Sequence, residues 1–215
     1  VLENGLVDLD MLERNLDNKT ILVSIMWVNN ILGTVQNIKR VIELVKAFPK
    51  AKLHVDIVQG FCKLIPNFNF NDIDMLTFST HKIYGPKGVG ALLVKDGIDI
   101  KKIMYGSTSQ YNLRPGTFSV ALVVATAKAI KKYYPLINKH FEYVKHLYIN
   151  LYQGIKDIPG LIVNTPAENI SYYILNLSMN MKGETLLHIL EGKGIYVSTG
   201  SACSSRISKP EKTVL

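Results

Sequence analysis

Two stretches of the sequence decide the fold: LHVD at residues 53–56 and MLTFSTHK at residues 75–82. Each begins with a short apolar run that is typical of a buried strand. Each run leads directly into polar side chains, Asp56 in the first stretch and Lys82 in the second. Because ligands of parallel α/β sheets gather beyond the carboxyl ends of the strands, we expect this acid and this lysine to lie in one site.

The first half of the chain continues this alternation of short apolar runs with helical periodicity. Strands separated by helices or long crossovers predict an α/β fold with a mainly parallel sheet. The predicted strands are Ile21–Val28, Leu53–Val55, Met75–Ser79 and Val89–Val94, and the predicted amphipathic helix is Ile38–Phe48.

The second half begins with a helical pattern from Val120 to about Ile155, broken at Pro135. We predict a domain boundary near residue 130, so that residues 1–130 form part of a large domain and residues 131–215 part of a small α/β domain. The small domain is predicted to contain a helix at Gly183–Leu190 and strands at Leu161–Val163, Tyr172–Met179 and Tyr196–Val197.

Composition narrows the class of protein. The chain has 47% hydrophobic and 20% charged residues, which is ordinary for a globular protein. It contains no apolar run near the roughly 20 residues that span a bilayer, and we expect a cytoplasmic protein without a membrane partner. The net charge of +8 comes from scattered lysines and arginines, which argues against specific nucleic-acid binding. Its 2 cysteines suggest neither a disulfide framework nor a metal site.

A carboxylate and a lysine at neighbouring strand ends are the pair that enzymes dependent on pyridoxal 5'-phosphate (PLP) require. The lysine holds the cofactor, and the carboxylate keeps its ring nitrogen protonated so that the ring withdraws electrons. Taken alone, Lys82 is typical of a surface lysine, Asp56 of a turn or capping acid, and His81 of a hydrogen-bonded structural histidine. Their combination favours the cofactor site.

Longer motifs around these residues resemble those of the cysteine desulfurases in the class V aminotransferase family. Asn29-Asn30 and Leu113-Arg114-x-Gly116-Thr117 also match, so the resemblance extends through nearly the whole chain. The three principal motifs, in order, are HVDIVQ at residues 54–59, STHKIYGPKG at residues 79–88 and GSACSS at residues 200–205.

The resemblance implies a PLP-dependent transferase of fold type I. Lys82 resembles the lysine that holds PLP, and Asp56 resembles the partner of the ring nitrogen. Thr117 matches a threonine that, in similar enzymes, reaches the phosphate bound by the other subunit, which implies a homodimer. The remaining implied cofactor contacts are Gln59 and Asn30 at the phenolic oxygen, and Ser79 with His81 at the phosphate.

Cys203 lies among small residues that suit a mobile loop carrying a nucleophile. The resemblance implies that its thiolate takes sulfur from L-cysteine, leaving L-alanine and a persulfide, for iron–sulfur cluster assembly or tRNA thiolation. A sulfur-acceptor protein, a scaffold or a tRNA thiolase, is then the partner. No resident metal is expected, although Cys203 could transiently ligate an iron–sulfur cluster. Cys62 is expected to be a buried packing residue.

Two alternatives stay open: another class V enzyme such as a selenocysteine lyase, and a non-catalytic dimerising scaffold. The chain opens on Val1 and ends on Leu215, and both ends look cut. The resemblance implies that the family's phosphate-binding turn lies before Val1 and that the arginine for the substrate carboxylate lies after Leu215. We therefore expect the isolated chain to bind PLP and cysteine poorly and to be weakly active or inactive.

Overall fold

The structure, a computed structural model, describes residues 1–200. Its longer elements alternate strands with helices or loops in the first half and are mainly helical in the second. In chain order they are α1 (Leu9–Asn15), β1 (Leu22–Met26), α2 (Ile38–Lys46), β2 (Lys52–Asp56), β3 (Met75–Ser79), β4 (Gly90–Val94), α3 (Val120–Tyr133), α4 (Ile137–Ile155), β5 (Leu161–Val163), β6 (Leu177–Met179) and α5 (Gly183–Glu191).

The main sheet has four strands in the order β1-β2-β3-β4. The first three are parallel, and β4 runs antiparallel to β3 at the edge. Parallel neighbours need a crossover of a dozen or more residues, whereas only residues 80–89 connect β3 to β4. The predicted α/β fold with a mainly parallel sheet is confirmed, with one antiparallel strand.

Burial in β2 and α2 follows the periodicity of the sequence. In β2, Leu53 and Val55 are buried, and they alternate with half-buried polar residues. The imidazole of His54 faces the other way and lies 2.7 Å from the hydroxyl of Ser24 and 3.1 Å from that of Thr77, which links three strands. The buried side chains of α2 recur at helical spacing: Ile38, Val41, Ile42, Leu44 and Val45.

Several predicted strands and helices begin or end at other residues than predicted. The strand predicted at Ile21–Val28 ends at Met26, and the helix predicted to Phe48 ends at Lys46, shortly before Pro49. Of the strand predicted at Tyr172–Met179, only Leu177–Met179 forms, because Tyr172 has a φ of 60°, which no strand continues through. No strand forms at Tyr196–Val197 in the part of the chain that the structure describes.

The chain divides into two compact units that are discontinuous in sequence. One comprises Asn15–Met26 and Ile38–Asn138, and contains the four-stranded sheet. The other comprises Val1–Arg14, Trp27–Asn37 and the chain from Lys139. The boundary near residue 130 stays a prediction.

Within the second unit, the buried side chain of Gln36 joins two segments of the chain, Val1–Arg14 and Trp27–Asn37. Its amide nitrogen donates to the carbonyl oxygen of Gly5, and its amide oxygen accepts from the backbone nitrogen of Val7, both at 2.8 Å. The antiparallel pair β5 and β6 belongs to the same unit.

Among residues 1–200, no helix has both the length and the apolar composition needed to cross a bilayer.

Candidate active site

Asp56 and Lys82 follow neighbouring parallel strands, as the sequence predicts. Asp56 is the last residue of β2, and its register partner on β3 is Thr77. Lys82 lies in the helical turn Thr80–Ile83 that begins directly after β3. Both residues are half-buried. The pairing of β2 with β3 thus brings the acid and the lysine to the same end of the sheet.

Local backbone contacts fix the carboxylate of Asp56. Its Oδ1 accepts a hydrogen bond of 2.9 Å from the backbone nitrogen of Val58, which turns the side chain back toward the following loop. The backbone nitrogen of Ile57 donates to the carbonyl oxygen of Thr77 at 2.9 Å and extends the pairing with β3 beyond the strand end. These two hydrogen bonds hold the carboxylate of Asp56 in a defined position beyond the strand end.

The turn that carries Lys82 is held by Thr80, which is fully buried. The hydroxyl of Thr80 contacts the carbonyl oxygen of Pro86 and lies 3.0 Å from that of Val89. Its own carbonyl accepts from the backbone nitrogen of Gly85 at 2.9 Å. These contacts close the loop over residues 80–89, and the turn ends at Tyr84 in the left-handed conformation.

Two of the predicted phosphate ligands contact each other at the end of β3. The hydroxyl of Ser79 lies 2.7 Å from Nδ1 of His81, and the imidazole of His81 is exposed. A hydroxyl and an imidazole together offer donors to an anion. Their role as phosphate contacts stays a prediction.

Gln59 lies in the turn that follows Asp56, where it accepts a hydrogen bond of 3.2 Å from the ammonium group of Lys63. Burial, and after it the positive charge of Lys82, lowers the pKa of Lys63 from 10.5 to about 8. The electrostatic effect of Lys82 on Lys63 indicates that the turn after β2 and the turn after β3 lie side by side.

Three predicted site residues lie elsewhere in the chain. Asn30 is exposed, in a turn of the other compact unit, and Thr117 is exposed in the segment before α3. Their assignments as cofactor contacts stay predictions. Cys203 lies outside the described residues.

The described side chains fit PLP. A carboxylate suits the protonated ring nitrogen, a lysine amine suits the aldehyde carbon, and a hydroxyl and an imidazole suit the phosphate. These groups are Asp56, Lys82, Ser79 and His81, all at the carboxyl ends of β2 and β3. Among residues 1–200, no group of three or more His, Cys, Asp or Glu side chains is arranged to hold a metal ion.

Sequence reasoning missed Lys63 and Thr80. The spacing of Gln59 and Lys63, four residues apart in a tight turn, was the available signal for the first. For Thr80 no local signal existed, because its partners are carbonyl oxygens 6 and 9 residues later in the chain. The expected packing role of Cys62 is confirmed: the residue is buried, and burial raises the pKa of its thiol to about 11.

A mainly parallel sheet with a carboxylate and a lysine beyond neighbouring strand ends defines the fold type I class of PLP-dependent enzymes. The profile of the class-V aminotransferases matches residues 1–214. The chain therefore belongs to the class-V aminotransferase family, whose members depend on PLP.

Curated relatives carry a more specific name. The chain is 39% identical over 210 residues to the cysteine desulfurase IscS of Escherichia coli (strain K12 / DH10B), covering 96% of this chain and 51% of that protein. It is 38% identical over 207 residues to the cysteine desulfurase IscS of Buchnera aphidicola subsp. Baizongia pistaciae, covering 95% and 50%. The chain thus spans about half the length of the curated relatives it matches.

Solved structures agree with the fold. A NifS-like protein superposes with a TM-score of 0.86 at 34% identity, over 94% of this chain and 56% of that one. The NifS-like protein from Rickettsia africae ESF-5 superposes with a TM-score of 0.87 at 27% identity, over 100% and 61%.

Proposed function

We propose that the protein containing this chain is a PLP-dependent cysteine desulfurase, which converts L-cysteine to L-alanine and transfers the sulfur to Cys203. The observation that carries this proposal is the pairing of β2 with β3, which directs Asp56 and Lys82 toward the same end of the sheet. The names of the relatives that match over nearly the whole chain support the choice of substrate.

We infer that Asp56 is the acid that pairs with the ring nitrogen, and its place at the end of β2 supports this role. A half-buried carboxylate interacts more strongly with a cation than a solvated one does, because less water screens the pair. The backbone nitrogen of Val58 donates to Oδ1 of Asp56, which leaves Oδ2 for the ring nitrogen. Bound PLP supplies an electron sink at the α-carbon of the substrate.

We infer that Lys82 is the lysine that holds PLP and moves a proton, and its place in the turn directly after β3 supports this role. Its turn is anchored by Thr80 rather than by contacts of the lysine itself, so the backbone stays fixed when the amine changes partner. Lys82 would hold PLP through its amine, and the same amine could act as base and acid at the α-carbon of the substrate.

Cys203 would complete the reaction. Its thiolate attacks the sulfur of the substrate, a sulfur–sulfur bond forms, and the carbon–sulfur bond breaks with its electron pair left on the substrate carbon. A proton then converts that carbon to the methyl group of alanine, and Cys203 keeps the extra sulfur as a persulfide. No external oxidant or reductant is needed.

The remaining assignments belong to the same proposal. We infer a homodimer in which Thr117 reaches the partner's cofactor, with Asn30 beside the phenolic oxygen and a large-domain boundary near residue 130. We also infer a sulfur-acceptor protein as the downstream partner and a cytoplasmic location. The exposure of Thr117 supports its availability to another subunit.

The experiment is a comparison of the intact protein with its Cys203→Ser variant. Both should bind PLP equally, whereas only the unaltered protein should form alanine and carry an added sulfur on the Cys203 peptide. Cys62 is the internal control, since its buried thiol should gain no sulfur. Undiminished alanine formation by Cys203→Ser would contradict the proposal, and retained activity with selenocysteine alone would point to a selenocysteine lyase.

A further inference from the structure

The turn after β2 contains a pair of polar side chains that the proposed reaction leaves unexplained. Lys63 donates to Oε1 of Gln59 at 3.2 Å, across a turn in which the backbone nitrogens of Lys63 and Leu64 donate to the carbonyl oxygen of Gly60 at 3.0 and 2.9 Å. Both side chains are half-buried. The turn is rigid, and the pair is built into it.

This hydrogen bond decides which way the carboxamide of Gln59 faces. A carboxamide has one acceptor oxygen and one donor nitrogen, and an ammonium group can only donate. With its oxygen directed at Lys63, the Nε2 group of Gln59 is turned away from the ammonium and can donate to a different partner. An anionic oxygen is the partner that an amide N–H favours most.

Keeping Lys63 charged at this position is costly. Burial and the neighbouring charge of Lys82 lower the pKa of Lys63 to about 8, so the folded protein is destabilised by this ammonium at neutral pH. A residue that opposes folding but occupies a defined position in a site is a candidate for a functional role.

We propose that Lys63 is a positioning residue, which orients Gln59 so that the carboxamide Nε2 donates to the phenolic oxygen of bound PLP. The inference rests on the proposed function, since it assigns this role within the same cofactor site. Gln59 is the residue that touches the cofactor, and Lys63 acts through it.

The test measures the pH dependence of the absorbance of PLP bound to the intact protein, together with PLP affinity. A donor to the phenolic oxygen stabilises its anionic form and therefore lowers the pH midpoint of the spectral change. Lys63→Met should raise that midpoint by about half a pH unit or more and weaken PLP binding roughly tenfold. Lys63→Arg, which keeps a charged donor, should stay within about twofold of the unaltered affinity.

A double-mutant cycle shows whether Lys63 acts through Gln59. In a Gln59→Leu background, Lys63→Met should produce no further shift of the midpoint, because the carboxamide that it orients is gone. A shift of full size in that background would overturn the inference, as would an unchanged midpoint in Lys63→Met alone.

The control is Lys50→Met, which removes an exposed lysine from the same compact unit and should leave both quantities unchanged. Failure of the unaltered protein to take up PLP would overturn the proposed function and this inference with it. Normal uptake of PLP, with midpoint shifts of Lys63→Met and Gln59→Leu that add in the double variant, would overturn this inference and leave the proposed function standing.

Discussion

The ammonium group of Lys63 should destabilise the fold when no cofactor is bound, and its removal should therefore stabilise the protein. The pKa of Lys63 is lowered from 10.5 to about 8. Each pH unit of difference corresponds to about 1.4 kcal/mol. The charge thus costs the folded state at most about 3.5 kcal/mol at neutral pH. Partial access to water reduces this cost to about 1–2 kcal/mol.

The sign of the pH dependence follows from proton binding. Below about pH 8 the amine is charged in both the folded and the unfolded state, so the full cost is present. Between about 8 and 10.5 the unfolded state binds more proton, and stability rises with pH. Above 10.5 both states are neutral and the cost has gone.

The assay is urea unfolding of the intact protein without PLP at several pH values from about 7 to about 10. Lys63→Met should be more stable than the unaltered protein at pH 7, and the difference should shrink as pH rises. Comparing the two proteins at each pH cancels the titration of all other groups. Lys50→Met should show no such trend, since Lys50 is exposed. A Lys63→Met variant that is less stable than the unaltered protein at pH 7, or a stability difference independent of pH, would show that the Lys63 charge does not destabilise the fold.

Two other predictions concern buried groups near the site. In a Cys203→Ser background, Cys62 should react with a thiol-specific reagent at pH 8 only as fast as the protein unfolds, because burial raises the pKa of its thiol to about 11. The free energy of unfolding should also fall as pH rises from 9.0 toward 11, because the unfolded state loses the thiol proton first. Rapid labelling of the folded protein would contradict it. Thr80→Val should reduce the free energy of unfolding by about 1–2 kcal/mol, because the carbonyl oxygens of Pro86 and Val89 lose a donor while the branched shape is kept. Thr80→Ser keeps the hydroxyl and serves as the control that should retain these hydrogen bonds. A Thr80→Val variant as stable as the unaltered protein would contradict the prediction.

The core strands could be predicted because their pattern is local. β2 alternates buried Leu53 and Val55 with polar residues, and β3 is a short apolar run before polar ones. Asp56 and Lys82 follow neighbouring parallel strands, as predicted, because parallel strands direct their carboxyl ends to one edge of the sheet. Their roles toward the cofactor stay predictions.

The ends of other elements depended on partners that the sequence pattern does not reveal. Trp27 and Val28 continue the apolar run of β1, but the chain leaves the strand there, and Val28 bridges to Val35 instead. Tyr172 looks like a strand residue, yet its ring packs edge-on against Phe141 and Tyr148 in a left-handed turn. Such contacts join residues distant in sequence, so local periodicity predicts the wrong boundary.

The lowered pKa of Lys63 could not have been predicted from the sequence, because most lysines are solvated. Its lowered pKa arises from burial and from the proximity of Lys82, which follows a different strand. Both causes appear only when β2 and β3 pair.

The most direct test of the central claim is to add PLP to the intact protein, reduce with borohydride and map the modified lysine by mass spectrometry. We expect a pyridoxyl group on the peptide containing Lys82, and loss of this label in Asp56→Ala, which would bind PLP weakly. Lys63 is a stringent internal control, since it lies close enough to sense the charge of Lys82 and its pKa of about 8 makes it reactive. Labelling of Lys63 in place of Lys82, or of neither lysine, would exclude Lys82 as the lysine that holds PLP.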